Sequence, residues 1–170
     1  TPAIPSDHKE WAWLRAEGFT IEKRSQMLGH LSSGKVVMAV AGTHGKTTTS
    51  SMAAHIFTQS PVECNAFLGG ILRNYDSNLV LSEHSEYAVI EADEFDRSFL
   101  QLHPEIAVIT SMDADHLDIY GDAEHVHEAF KAFASQVSGT VIVRHGLDIT
   151  SEDTKADNKP AAKRGPKKKE

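Results

Sequence analysis

Residues 41–48, Ala-Gly-Thr-His-Gly-Lys-Thr-Thr, constrain this chain more than any other segment. They follow the apolar run Val36-Val37-Met38-Ala39-Val40 and lead into Lys46–Thr58, whose residues read as helical. A buried strand, a glycine turn and a helix start together form a cradle for phosphate. The backbone N–H groups of the turn and the positive end of the helix dipole point at one anion. Lys46 can reach the outer phosphates, and the Thr47 hydroxyl can sit on a magnesium ion. The general pattern G-x-x-x-x-G-K-[ST] asks for glycine at position 40, where this chain has Val40. The loop is therefore a shorter variant anchored by Gly42 and Gly45.

The rest of the chain reads as alternating helices and strands. Ser6 or Asp7 is placed to cap a helix that stops at Gly18; Phe19–Glu22 reads as a short strand and Ser25–Leu31 as a short helix. After Ser32-Ser33-Gly34, strands are expected at Val36–Ala41, Asn65–Leu68, Leu79–Leu81, Tyr87–Ile90, Glu105–Thr110 and Thr140–Val143. The glycine pair Gly69-Gly70 follows the second of these. A helical turn is expected over Asp96–Leu102, and a helix over Asp122–Val137 with Val126, Phe130, Phe133 and Val137 on one face. This order implies an α/β fold with a mostly parallel sheet flanked by helices.

In parallel sheets, ligands bind beyond the carboxyl ends of the strands. Two further strand ends carry suitable groups. Tyr87–Ile90 runs into Glu91-Ala92-Asp93-Glu94, and an acid at the end of a strand beside the phosphate loop is placed to hold magnesium. Glu91, Asp93, Glu94 and Asp96 would repel one another there, which favours a cation among them. The strand at Glu105–Thr110 leads into Asp113-Ala114-Asp115-His116-Leu117-Asp118, where imidazole and carboxylates suit metal or phosphate chemistry. His125 and His127 lie two apart on a helix and cannot readily share a metal. A single cysteine, Cys64, supplies neither a disulfide nor a cysteine-rich zinc site, and reads as a small buried side chain.

Charge and hydropathy exclude other classes. Of the net charge of −7, Lys155–Glu170 contributes +5 and the remainder −12, so the body is no nucleic-acid binder. The tail is expected to be disordered. No apolar run approaches the roughly 20 residues that cross a bilayer, and no signal peptide is visible. Together with the lone cysteine, this points to the cytoplasm, with no membrane partner.

Taken in order, Gly42-Thr43-His44-Gly45-Lys46-Thr47-Thr48, Glu91-Ala92-Asp93-Glu94 and Asp113-Ala114-Asp115-His116-Leu117-Asp118 resemble the Mur ligase family over roughly residues 1–147. The resemblance implies that residues 1–31 are the end of a UDP-binding domain, 32–34 a linker and 35–150 the first part of a central ATP-binding domain, with 151–170 a basic tail. It implies ATP and Mg2+ as cofactors. Gly42, Thr43, His44, Gly45, Lys46, Thr47 and Thr48 would hold the nucleotide, and Thr47, Glu91 and His116 would serve the metal. Lys46 and His116 would be the catalytic residues. Gly69, Gly70 and Asn74 fall where the family approaches its sugar substrate. A metal-binding carbamylated lysine, known in many members, has only Lys131 as a candidate here, and Lys131 is not assigned that role. The reaction implied is ATP-dependent joining of L-alanine to the lactyl carboxylate of UDP-N-acetylmuramate through an acyl phosphate.

Family members run to several hundred residues, so the chain is expected to be a fragment that makes no amide bond alone, and its resemblance to fade after about Thr150. Two alternatives stand beside this reading: a sister ligase that recycles murein tripeptide onto the same nucleotide sugar, and a nucleotide-binding module without turnover. A nucleic-acid binder acting through the basic tail would show strongly salt-dependent binding. Oligomeric state is not legible.

Overall fold

The apolar run after Gly34 forms the centre of the sheet. In a computed structural model that describes residues 4, 5, 7–115 and 120–154, β1 (Val36–Ala41) lies between two parallel neighbours, β4 (Tyr87–Glu91) and β5 (Ile106–Ile109). Beyond β4 comes β2 (Asn65–Leu72), and beyond that β3 (Ser77–Val80); on the other side β6 (Thr140–Val143) pairs with β5. The order is β3-β2-β4-β1-β5-β6, parallel throughout except for the antiparallel β2–β3 hairpin. β1 is rich in valine and alanine because it is covered on both faces, as central parallel strands are.

Each face has its own apolar layer. On one, α3 (Lys46–Thr58) packs Ala54 against Ala66, Leu68 and Val89, with Cys64 buried beside them. On the other, α4 (Ala123–Gln136) presents Val126, Phe130 and Phe133 to Val37, Ala39, Ile90 and Ile109. Phe99 stacks on Phe133 with centroids 4.8 Å apart and meets Phe130 edge-on at 5.3 Å. Asp122 caps α4 by accepting a hydrogen bond from the His125 N–H, 2.9 Å away.

The chain enters through α1 (Lys9–Ala16) and α2 (Arg24–Ser32). Leu28 of α2 joins the layer beneath α4. A 3-10 turn, Phe95–Gln101, follows β4 and approaches α2 so closely that a Cβ on Gly29 would stand 2.8 Å from the Gln101 carbonyl oxygen.

Several expectations change. Helix α1 starts at Lys9 with His8 at its N-cap and no side-chain cap; Ser6 lies outside the described residues. Phe19–Glu22 is not a strand, because no neighbour pairs with it and the Phe19 ring instead packs on Trp13 at 5.7 Å. β2 runs on through Gly69 and Gly70 to Leu72, held there by antiparallel pairing with β3 across an irregular register. The tail 155–170 lies outside the described residues, so its expected disorder does too. Among the described residues, no helix is long and apolar enough to cross a membrane.

Candidate functional site

The phosphate loop leaves the end of β1 and turns at Gly45, the N-cap of α3, with φ +84°. That left-handed conformation suits glycine, and it brings no capping side chain with it. The first-turn N–H groups of α3 thus receive no side-chain cap. The loop is braced from β5. Thr110 Oγ1 donates to the His44 carbonyl at 2.6 Å and the Ala41 carbonyl at 3.1 Å. Ser111 Oγ accepts from the His44 N–H at 2.7 Å and shares a hydrogen bond of 2.8 Å with Thr43 Oγ1. The Asp113 N–H donates to Thr43 Oγ1 at 3.0 Å. This bracing needs a bare backbone at Gly42, φ +136°, where a Cβ would overlap Thr110 Oγ1.

Lys46 lies across the loop. Its ammonium donates to the Gly42 carbonyl at 2.8 Å and to Glu94, 2.9 Å from Oε1 and 2.8 Å from Oε2. Glu94 is 1% exposed, and its backbone carbonyl accepts from the Tyr120 hydroxyl. Burial first, and then the nearby Glu94 charge, push the Tyr120 phenol above its usual range and keep it protonated as a donor. The Arg97 guanidinium stands 5.6 Å from the centre of that ring.

Beside the lysine is a pair of hard oxygens. Thr47 Oγ1 donates to Glu91 Oε1 at 2.9 Å, and Glu91 Oε2 accepts from the Gly69 N–H at 2.9 Å and from Ser50 Oγ at 3.3 Å. A Cβ on Gly69 would overlap the Glu91 carboxylate. Gly69 therefore backs the acid and Gly70 stands against Thr47, both from within β2 rather than following a strand. Asn74 is exposed in the turn between β2 and β3.

Among the predicted site residues, Gly42, Gly45, Lys46, Thr47 and Glu91 gather at one rim of the sheet. Thr43 and His44 are there as well, engaged by the β5 loop, and Thr48 is exposed on the first turn of α3. His116 lies outside the described residues. The four acids do not converge as expected, because each has its own partner. Glu91 takes Thr47, Glu94 takes Lys46, Asp93 accepts from the Phe95 N–H, and Asp96 pairs with Lys23 at 2.7 Å. Burial favours the protonated form of Asp96, but hydrogen bonds from Lys23 and Ser98 outweigh it and hold the carboxyl below its usual range. No group of three or more His, Cys, Asp or Glu side chains able to hold a metal occurs among the described residues. Lys131 pairs with Asp148 at 3.2 Å, and that hydrogen bond raises its pKa, which opposes the neutral amine that carbamylation needs.

Sequence reasoning missed Glu94 as the partner of Lys46, and Thr110 and Ser111 as the brace. The hydroxyls standing directly after β5 were the available signal. It also missed a cavity of about 490 Å³ between α2 and the 3-10 turn, lined by Arg24, Leu28, Glu91, Asp93, Phe95 and Phe99 among others.

The donor set fits a hard divalent cation, since a hydroxyl and a carboxylate already share one point. The uncapped helix start and Lys46 fit a phosphate chain. Sheet, loop and helix thus define an α/β protein of the phosphate-loop class. Residues 40–169 match the Mur ligase middle domain, and the chain belongs to that family. The match extends beyond Thr150, where the resemblance was expected to fade. A UDP-N-acetylmuramate–L-alanine ligase of Parabacteroides distasonis is 56% identical over 152 residues, covering 88% of this chain and 33% of that protein. The solved UDP-N-acetylmuramate-alanine ligase of Thermotoga maritima superposes with a TM-score of 0.76 at 28% identity, covering 91% of this chain and 36% of that one. The MurF ligase of T. maritima, solved in complex with ADP, shares the fold at a TM-score of 0.51 and 19% identity, covering 74% and 32%. The chain spans about a third of the length of the curated relatives it matches.

Proposed function

We propose that this chain supplies the nucleotide-phosphate and magnesium groups of an ATP-dependent ligase that joins L-alanine to the lactyl carboxylate of UDP-N-acetylmuramate. The observation that carries this reading is the convergence of Lys46, Thr47 and Glu91 on one rim, with hydrogen bonds of 2.8–2.9 Å linking them to loop and sheet. The names of the relatives over 88% of the chain support the choice of substrates.

In this reading the N–H groups of the loop and Lys46 bind the β- and γ-phosphates. Thr47 and Glu91 hold magnesium, which when bound offsets the charge on the phosphate chain and on the carboxylate that meets it. His116 serves the same metal and nucleotide chemistry. A carboxylate is a poor electrophile toward an amine, so its phosphorylation provides a leaving group, and attack by the alanine amine then yields the amide and inorganic phosphate. The cavity beside Glu91 gives the acceptor substrate an approach from the α2 side. Residues 1–31 belong in this reading to the end of the UDP-binding domain and 35–150 to the ATP-binding domain. The protein works in the cytoplasm, where its nucleotide substrates are.

Equilibrium binding of ADP in the presence of Mg2+, with Lys46→Ala as the paired variant, tests the nucleotide part. Loss of at least tenfold in affinity is expected, on the scale of a charge-assisted contact; unchanged affinity refutes it. Competition between L-alanine and murein tripeptide in a ligation assay tests the substrate, and preference for the tripeptide would transfer the assignment to the recycling ligase.

A further inference from the structure

An ammonium has three N–H donors, and the Gly42 carbonyl and the Glu94 carboxylate already engage Lys46. That leaves one donor for a ligand. Glu94 cannot follow a lysine that swings outward, because its carboxylate is 1% exposed and the Tyr120 hydroxyl holds its carbonyl. A departing lysine would strand a buried anion, so Lys46 keeps its partner when a phosphate arrives. The loop is also surrounded by negative charge. Glu91 contacts Thr47, and Asp113 contacts Thr43 at 3.3 Å and faces the His44 ring at 3.8 Å.

We propose that Glu94 is the positioning residue of the phosphate loop: it fixes Lys46 in place and cancels its charge, so that the loop accepts a phosphate chain only together with a divalent cation. This rests on the nucleotide reading above. With the charge of Lys46 offset by Glu94, a bare phosphate chain meets the carboxylates of Glu91 and Asp113 with only backbone dipoles and the one remaining Lys46 N–H in its favour. A cation at Thr47 and Glu91 reverses that balance. Glu94 thereby sets the preference for metal–nucleotide over free nucleotide without touching either.

The test is binding of a fluorescent ADP analogue to the 170-residue chain, in Mg2+ or in EDTA, for the unsubstituted protein, Lys46→Ala, Glu94→Gln and Glu94→Asp, with circular dichroism as the check on folding. Removing one charge several ångströms from the phosphates is expected to tighten metal-free binding about tenfold in Glu94→Gln. Binding in Mg2+ should change by less than about threefold, the attraction there being dominated by the bound cation. Glu94→Asp keeps the charge and should keep the original metal preference. A structural role alone would weaken both conditions in parallel. An unchanged ratio in Glu94→Gln, or loss of the metal preference in Glu94→Asp, overturns the proposal, and the aspartate variant decides the matter if the glutamine variant does not fold. If the unsubstituted chain does not bind in Mg2+, or Lys46→Ala binds equally well, the nucleotide reading itself falls and this inference with it. If those two behave as expected while the Glu94 variants do not, only the inference is lost.

Discussion

Replacing Lys46 by methionine should cost more stability than replacing Glu94 by glutamine, although each change breaks the same ion pair. The reason is where each side chain is left. Glu94 is 1% exposed, so Lys46→Met strands its carboxylate in the interior. Lys46 is 15% exposed and long, so after Glu94→Gln its ammonium can still reach toward water. At 2.8 Å the gross attraction is on the order of 6 kcal/mol for an effective dielectric constant of about 20. Desolvation of both ions cancels much of that, but removing one partner of a buried pair still costs about 3–5 kcal/mol. We expect about 4 kcal/mol for Lys46→Met and about 1.5–3 kcal/mol for Glu94→Gln, the range for a lost hydrogen bond to a charged group.

The double variant removes both charges and should resemble Glu94→Gln, giving a coupling of about 3 kcal/mol or more in the mutant cycle. Urea unfolding followed by circular dichroism measures all four corners. A thermal scan gives an independent scale, since about 4 kcal/mol corresponds to roughly 8–16 °C in a folded unit of about 150 residues. Equal costs for the two single variants, or a coupling below about 0.5 kcal/mol, would refute the view that Glu94 is a buried anion dependent on Lys46.

Three further outcomes follow from the same structure. Gly42→Ala should abolish ADP binding while the far-ultraviolet spectrum is retained, because its Cβ would overlap Thr110 Oγ1 and stand 2.8 Å from the Ser111 nitrogen; binding that survives would mean that the brace is dispensable. Asp96 titrates below its usual range, so its bond to Lys23 stabilises the fold above the ordinary carboxylate pKa and is lost as pH falls through the lowered value. The stability difference between the unsubstituted chain and Lys23→Met, measured by urea unfolding across pH 2–7 (roughly the carboxylate range), should therefore vanish at the acid end, and a difference that persists there contradicts the assignment. Phe133→Ala removes a fully buried ring stacked on Phe99 and should cost about 3–5 kcal/mol in urea unfolding; a cost under about 1 kcal/mol would mean that the layer beneath α4 can collapse onto the gap.

What could be read from the sequence was what short-range chemistry determines. β1 and α3 fall at the residues expected because an apolar run, two glycines and a helix-forming stretch are all local signals. The face of α4 was legible because Val126, Phe130 and Phe133 repeat at helical spacing. Phe19–Glu22 misled because alternating apolar residues look like a strand whether or not a neighbouring strand exists to pair with them. Glu94 was unreadable for another reason. It sits among Glu91, Asp93 and Asp96 in the sequence, and nothing local says that it alone turns inward to a lysine 48 residues earlier. The hydroxyls of Thr110 and Ser111 were similarly plain residues until the sheet set them against the loop.

Sheet register connects those local signals into a site. Parallel pairing sets Val40 opposite Glu91 and Ala41 opposite Ile109, so β1, β4 and β5 end nearly level and their following loops meet at one rim. Side chains alternate between the two faces of a strand, so a slip of one residue between β1 and β4 would turn Glu91 to the opposite face. There it would meet the apolar layer beneath α4 instead of Thr47, while Ile90 would be driven out of that layer. The apolar residues that bury β4 on both sides thus also fix which acid faces the phosphate loop. Hydrophobic burial at Ala88, Val89 and Ile90, each 0% exposed, is therefore what holds the register of the metal-ligand candidate. A polar substitution at Ile90 should disturb Glu91 before it disturbs anything else at the rim.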